Sequence, residues 1–122
     1  MIKTVSFYGT CLARSEKTLV TPMISRKFTI KKVSARFPSG SNNLIKLYFF
    51  YSIDDDAPAA GRPSGTSILQ DYGQVEYIVG NNDSKIMNHN VEVKNGNMYL
   101  KVYAYNEDYY DHDIDVQMEI EI

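Results

Sequence analysis

The sequence predicts an all-β fold made of two antiparallel sheets packed face to face, and three observations predict it. Helical periodicity is missing, because no segment repeats apolar residues at i, i+3, i+4 and i+7 over three turns. About eight short segments with strand-like patterns appear instead, separated by turn residues. The clearest is Ile114 to Ile122, where apolar and polar residues alternate without a break, as they do in a half-buried strand.

The first two strands are predicted at Lys3–Gly9 and Thr18–Ile24. The first places Val5 and Phe7 on one face. The second contains Pro22, which cannot donate to a ladder, so it is predicted to be an edge or irregular strand.

The third strand, Arg26 to Phe37, changes phase along its length. Phe28 and Ile30 share one face, but the later apolar residues Val33, Ala35 and Phe37 fall in the opposite phase. A β-bulge near Lys31 and Lys32 restores one apolar face, because the extra residue compensates for a shift that would otherwise flip every later side chain.

The centre of the chain holds an aromatic strand and a long loop. Leu44 to Ile53 is apolar on both sides, which indicates a central strand, or one whose second face a loop or neighbouring subunit covers. Asp54 to Gly73 follows without strong periodicity, and loops of this length tend to be functional or mobile.

Two more strands and a hairpin are predicted after the loop. Gln74–Val79 reads as a strand with Val75, Tyr77 and Val79 inward. Asn95-Gly96 is the preferred pair for a two-residue type I′ turn, which predicts a hairpin that pairs Val93 with Met98. Its second arm presents tyrosines outward, and Asn106–His112 turns into the final strand.

These elements predict a single domain spanning residues 1–122, an antiparallel two-sheet β-sandwich of about eight strands with a jelly roll as its preferred form. The formal net charge of −2 argues against nucleic-acid binding. No signal peptide or membrane-spanning apolar stretch is visible. The single cysteine, Cys11, is expected to be a buried apolar residue.

Two groups of residues are candidates for a protein interface. The first is a tyrosine row on the penultimate strand and the turn after it, consisting of Tyr99, Tyr103, Tyr105, Tyr109 and Tyr110. It is predicted either to contact another protein chain or sugar rings, or to pack beneath a loop or beside neighbouring strands. The second pairs basic residues of the third strand with acidic residues of the last: Lys27, Lys31, Lys32 and Arg36 with Asp113, Asp115, Glu119 and Glu121. The two strands are expected either to be neighbours within the chain or to meet across a subunit boundary.

Catalytic and metal signatures are weak. No phosphate loop or G-x-S-x-G elbow is present, so no enzymatic activity and no cofactor are predicted. The acidic clusters Asp54-Asp55-Asp56 and Glu107–Asp115 offer oxygen ligands for Ca²⁺, but no EF-hand pattern joins them, and solvated turn carboxylates are the favoured interpretation.

The order of short strands, with Arg26-Lys27-Phe28-Thr29-Ile30-Lys31-Lys32-Val33 early and a long loop after the aromatic strand, resembles two groups of small β-sandwiches. One is the galactose-binding-like domains, and the other is the decoration and cementing proteins of tailed-phage virions. The second resemblance implies a location on a virion, if the source is viral, and a capsid lattice as partner.

Two functions are therefore expected. The first is a structural protein, such as a virion decoration protein, that self-associates or binds a protein lattice, with no nucleic-acid or membrane partner. The alternative is a carbohydrate-binding module that uses the 54–73 loop, with Asp54, Asp55, Asp56 and Arg62, together with surface tyrosines.

Overall fold

The computed structural model describes residues 1–69 and 76–122 and shows eight β-strands in this part of the chain. They are β1 Ile2–Cys11, β2 Glu16–Val20, β3 Phe28–Phe37, β4 Ile45–Ser52, β5 Thr66–Ser67, β6 Asp83–Val93, β7 Tyr99–Asn106 and β8 His112–Glu121. The described residues form no helix long and apolar enough to cross a membrane.

The strands form two four-stranded antiparallel sheets. Sheet A has the order β1-β8-β3-β6, and sheet B has the order β2-β7-β4-β5. Eight strands in this interleaved order make a jelly roll, so the predicted fold class is confirmed. The final strand of the sequence prediction becomes β8, which lies in the interior of sheet A between β1 and β3.

The core lies between the two sheets and follows from the alternation of each strand. Inward residues such as Phe7, Ile30 and Ile120 of sheet A meet Phe49 and Leu100 of sheet B, and all five are buried. Fully burying a large apolar side chain contributes roughly 1.5–3 kcal/mol. The core is therefore the main source of stability.

The predicted β-bulge is confirmed at the predicted place. The register of β3 shifts between Ile30 and Lys32 against both of its neighbours, β6 and β8. Because of the shift, Phe28 and Ile30 on one side of the bulge and Val33 on the other all reach the same core.

The apolar residues on both sides of β4 also have the predicted cause. Ile45, Leu47 and Phe49 join the main core, whereas Tyr48 and Phe50 form a second buried cluster with Tyr103, on the outer face of sheet B. The second cluster is called here the covered face. Tyr77, which follows the loop after β4, packs against it.

The predicted hairpin at Asn95-Gly96 is wrong. β6 pairs with β3 in sheet A, whereas β7 pairs with β2 and β4 in sheet B, so the turn crosses from one sheet to the other. Met98 bridges to Ile24 rather than to Val93. The pattern misled because Val93 and Met98 both face the shared core, and apolar residues meet across a sandwich as readily as across a hairpin.

Two other predicted strands need correction. The second strand, predicted at Thr18–Ile24, is β2 and ends at Val20. After Pro22, Ile24 forms an isolated bridge with Met98. The strand predicted at Gln74–Val79 lies partly outside the described residues, which begin again at Glu76. There Ile78, not Tyr77, contacts the main core and bridges to Leu47, so the predicted phase is wrong.

Candidate assembly surfaces

The outer face of sheet A carries an acidic and a basic column side by side. The acidic column, on β8, is Asp113, Asp115, Glu119 and Glu121, and the basic column, on β3, is Lys31, Lys32 and Arg36. Lys31 lies 3.6 Å from Glu121, and Lys32 lies 3.6 Å from Glu119. Arg36 is in register with Asp115. The two strands are thus neighbours within the chain, the first of the two predicted alternatives, and exposed Lys27 lies just before β3.

The tyrosine row divides into buried and exposed members. Tyr103 is buried in the covered face, with its ring 5.1 Å from that of Tyr48. Its hydroxyl donates to Glu16 of the edge strand β2. Tyr99 is half-buried, whereas Tyr105 on the same strand is 40 % exposed. Tyr103 therefore follows the alternative in which the row packs beside neighbouring strands, and only part of the row faces solvent.

A buried lysine anchors the loop that follows β4. The Lys101 side chain is 0 % exposed and its Nζ donates to Asp54 Oδ1 at 2.8 Å. The same ammonium donates to the Ser64 carbonyl at 3.1 Å. Lys101 and the Ser64 hydroxyl both donate to Asp54, and they hold the pKa of its carboxyl well below the usual range. Lys101 alternates with the inward residues of β7, which is the spacing of an outward side chain, and no pattern in the sequence indicates its burial.

Arg62 closes the same loop over the covered face. Its guanidinium lies 4.8 Å from the centre of the Tyr48 ring and makes a paired contact with Glu76. The Arg62 contact lowers the pKa of Glu76. Of the residues predicted for a ligand loop, Asp54 and Arg62 are thus held in internal contacts, whereas Asp55 and Asp56 are exposed. Residues 70–73 of that loop lie outside the described part.

The tip of the sandwich is a pair of hydrogen-bonded loops with exposed aromatic residues. The buried Asn106 amide donates to the carbonyls of Cys11, Leu12 and Tyr110, and so ties the loop after β1 to the loop after β7. Tyr109 and Tyr110 project from this tip and are 77 % and 73 % exposed. Both remain candidate interface residues.

The acidic residues near the tip have separate partners. Asp108 Oδ2 lies 2.7 Å from His112 Nε2, and this contact lowers the pKa of Asp108. Asp111 accepts from the Ala13 backbone at 2.7 Å, and Asp113 accepts from Thr10 at 3.1 Å. Within residues 1–69 and 76–122, no three His, Cys, Asp or Glu side chains converge on one point that suits a metal ion.

β1 is an open edge of sheet A. Met1 and Ile122 exchange two backbone hydrogen bonds, of 3.2 and 2.9 Å. In an antiparallel ladder such bonded pairs alternate with pairs whose backbone groups point away. Counting from Met1 along the regular register, the residues with outward-pointing N–H and C=O groups are Ile2, Thr4, Ser6, Tyr8 and Thr10. β8 is the one strand that pairs with β1 among the described residues.

The other described edges are protected in the usual ways. β5 has two residues and β2 has five. β2 is also contacted by the long loop, because Gly61 donates to Glu16 at 3.2 Å. β6 has eleven residues but carries Asp83, Lys85 and Glu92. β1 has ten residues and Lys3 as its one charged side chain, so it is both long and nearly uncharged.

A groove runs beside the first half of β1. The seam between the sheets is closed at Gly9, where an added Cβ would lie 3.3 Å from Leu19. Beyond Val20 the chain instead follows sheet B, and Ile24 exchanges backbone hydrogen bonds with Met98 at 2.8 and 3.1 Å. The result is a groove of about 440 Å³ between β1 and residues 21–26.

Cys11 does not face any of these surfaces. It is fully buried in the core, and burial raises the pKa of its thiol. The predicted role as a small buried residue agrees with this position. A disulfide to another chain would require Cys11 to leave the core.

No protein-family model and no curated protein matches the chain. A solved structure of Bacillus endospore appendages, described as disulfide-linked pili, matches 98 % of this chain and 84 % of its own, with TM-score 0.53 and 16 % identity. The infectious bursal disease virus VP2 subviral particle matches 98 % of this chain with TM-score 0.52 and 5 % identity, although this chain spans only 32 % of VP2. Identities this low show a shared fold. The chain is thus a jelly-roll domain, similar in fold to a pilus protein and to a virus-particle protein.

Proposed function

We propose that this chain is a non-catalytic assembly protein that associates with further copies of itself by strand addition at β1. One observation carries the proposal: β1 presents ten residues of nearly uncharged open edge, whereas the other described edges are short, covered or charged. Natural proteins block such edges unless another strand pairs with them. The exposed backbone groups of β1 are therefore best explained as a binding surface.

Strand addition favours a protein partner over a sugar. A second strand satisfies alternating N–H and C=O groups at the spacing that β1 offers, and main-chain hydrogen bonds then provide the affinity. The known structures of similar fold include a pilus and a subviral particle, which supports the proposal because the same fold serves in such assemblies. The covered face of sheet B argues in the same direction, since Tyr103 and Arg62 are engaged within the chain.

Replacing Ser6 by proline tests the role of the edge. The outward N–H of Ser6 is not used by β8, so Ser6→Pro keeps the internal ladder but removes a donor from the open edge. We expect sedimentation velocity to show concentration-dependent oligomers of the wild-type chain. Association of Ser6→Pro should be weaker by about tenfold or more, because a hydrogen bond is lost and the ring obstructs pairing.

Ser6→Ala is the matched control, because it changes the same side chain and retains the N–H. It should associate like the wild type. A wild-type chain that remains monomeric at all concentrations, or a Ser6→Pro variant that is folded and associates normally, contradicts the proposal. In the first case, binding on a glycan array would instead support the carbohydrate-binding alternative.

A further inference from the structure

We infer that the strand added to β1 is the β1 of a second copy, paired antiparallel about a two-fold axis at Val5. The two four-stranded sheets A then become one continuous sheet. This inference rests on the proposed self-association and adds the partner strand and its register. An interface that uses the same strand on both copies is closed by its symmetry, so it produces a dimer and not an open chain.

The free edge of β1 is complementary to itself. Its outward N–H and C=O groups belong to alternate residues: Ile2, Thr4, Ser6, Tyr8 and Thr10. With the axis at Val5, Thr4 faces the partner's Ser6. Ile2 faces the partner's Tyr8, and the symmetry repeats both pairs. Each pair exchanges two main-chain hydrogen bonds, so residues 2–8 of the two copies form about eight.

The seam between the two sheets favours the antiparallel orientation. Beside Val5 the seam is open, because residues 21–26 leave a groove of about 440 Å³ there. At Gly9 the seam is closed by Leu19. Antiparallel pairing sets the open half of each β1 against the closed half of the other. Parallel pairing would instead bring the two closed halves together.

Charge excludes two of the possible registers. An axis at Thr4 would set the two Lys3 side chains diagonally, roughly 7–8 Å apart, where like charges repel. An axis at Ser6 would set Lys3 directly opposite the partner's Gly9. The Lys17 side chain lies at that position, because its Cε is 3.6 Å from a Cβ added to Gly9. Both registers therefore bring two ammonium groups together.

The register centred on Val5 avoids these contacts and buries apolar surface. Lys3 then lies opposite the partner's Phe7, which carries no charge. On the outer face of the sheet, Ile2 lies opposite the partner's Tyr8. These side chains are 55 % and 72 % exposed in the single chain, and aromatic pairs with β-branched residues stabilise a sheet. An axis at Phe7 would leave Ile2 without a partner on β1.

The nearly uncharged β1 also keeps the acidic columns of the two copies apart. β8 lies next to β1, so the two β8 strands of the joined sheet would be separated by three strand spacings, about 14 Å. This distance exceeds the Debye length of about 8 Å at physiological ionic strength. Repulsion between the two acidic columns is therefore largely screened.

Cysteine cross-linking tests the register. Thr4→Cys and Ser6→Cys are mixed, oxidised, and analysed by intact mass spectrometry. Directly opposite residues of a bonded pair have Cα atoms about 5.5 Å apart, which suits a disulfide. We expect the mixed dimer to form at least about tenfold faster than either homodimer, whose cysteines would lie diagonally. Cys11 is buried and should stay reduced.

Ile86→Cys is the control for random collision. Ile86 is 60 % exposed on β6, at the opposite edge of sheet A. Mixed with Ser6→Cys, it should form a mixed dimer at least about tenfold more slowly than Thr4→Cys does.

Removing the Tyr8 ring tests the apolar contact of the same register. Tyr8→Ala should weaken dimerisation by about tenfold in sedimentation velocity, because the partner's Ile2 loses its opposite side chain. Ile86→Ala should leave dimerisation unchanged, and circular dichroism should show both variants to be folded. Equal association of Tyr8→Ala and wild type overturns the inference.

The outcomes separate this inference from the proposed function. A monomeric wild type contradicts both. If Ser6→Pro weakens association but the wild-type oligomers grow beyond a dimer, the inference is overturned and the function stands. Fastest cross-linking of Ser6→Cys with itself, or of the Ile86→Cys mixture, also overturns only the inference. A dimer at saturation, with Thr4→Cys and Ser6→Cys joining fastest, supports both.

Discussion

The two outer faces of the sandwich use charge in opposite ways. On sheet A, the acidic and basic columns lie in the open, with pairs such as Lys32 and Glu119 whose side chains are 36 % and 38 % exposed. On sheet B, the long loop and the tyrosines cover the face, and the Lys101 side chain is 0 % exposed beside Asp54. The same kinds of residue are thus solvated on one face and part of the interior on the other.

The difference shows which parts of the molecule are available to partners. On sheet B, Lys101 and Arg62 make internal contacts that hold the loop after β4. Tyr103 donates to Glu16 of β2, which also accepts from Gly61 of that loop. On sheet A, surface pairs are weak and salt-sensitive, and among the described strands only β8 pairs with β1, so alternate backbone groups of β1 point outward. Assembly is therefore expected to use sheet A, and stability is expected to depend on the covered face of sheet B.

Removing the carboxylate beside Lys101 should have the largest effect on stability. Asp54→Ala leaves a buried ammonium whose remaining partners are the Ser64 carbonyl and hydroxyl. An unpaired buried charge is strongly destabilising, so we expect the melting temperature to fall by roughly 10 °C in differential scanning calorimetry.

Asp55→Ala is the neighbouring control for that variant. Asp55 is exposed, so its substitution should change the melting temperature little. A similar melting temperature for Asp54→Ala and Asp55→Ala would mean that the buried lysine does not anchor the loop, and the contrast between the two faces would be lost.

Lowering the pH should have the next largest effect on the melting temperature, because it protonates the Asp54 carboxylate beside the covered face. The pKa of Asp54 is lowered in the folded chain by Lys101 and Ser64, whereas an unfolded aspartate titrates near about 3.9. A depressed folded pKa gives stability that is present above the unfolded value and is lost as the pH falls through the folded value. We expect the melting temperature to decline below about pH 4, since the unfolded chain then binds more protons.

Asp54→Asn isolates this contribution to the acid response. Its melting temperature should start lower and decline less steeply below pH 4, although Asp108, whose pKa is also lowered, keeps part of the slope. Parallel wild-type and Asp54→Asn curves over this range would exclude Asp54 as a source of the acid sensitivity.

Much of the fold could be predicted from local pattern. The alternation in β8 and the phase change in β3 are properties of a few adjacent residues, and the structure places both as expected. The apolar residues on both sides of β4 similarly predicted a covered second face. These predictions succeeded because strand side chains alternate whichever partner the strand has.

The pairing of distant elements could not be read in the same way. Asn95-Gly96 has the residues of a hairpin turn. Whether Val93 and Met98 pair in one sheet or face each other across two depends on their partners, which are Phe28 of β3 for Val93 and Ile24 for Met98. Lys101 has the same spacing as the solvent-facing residues of a strand, and only the long loop makes it buried. The groove beside β1 likewise depends on Ile24 bonding to Met98, a contact between segments far apart in sequence.

The smallest effect is expected on the open face of sheet A. In a double-mutant cycle, Lys32→Ala and Glu119→Ala should show a coupling energy of about 0.2–1 kcal/mol that disappears at high salt, because the pair is half-exposed and 3.6 Å apart. Urea unfolding of the four proteins measures it. A coupling above about 2 kcal/mol would exceed the usual range for exposed pairs. The acidic and basic columns would then stabilise the fold itself. The outer face of sheet A would then be no more available to partners than that of sheet B.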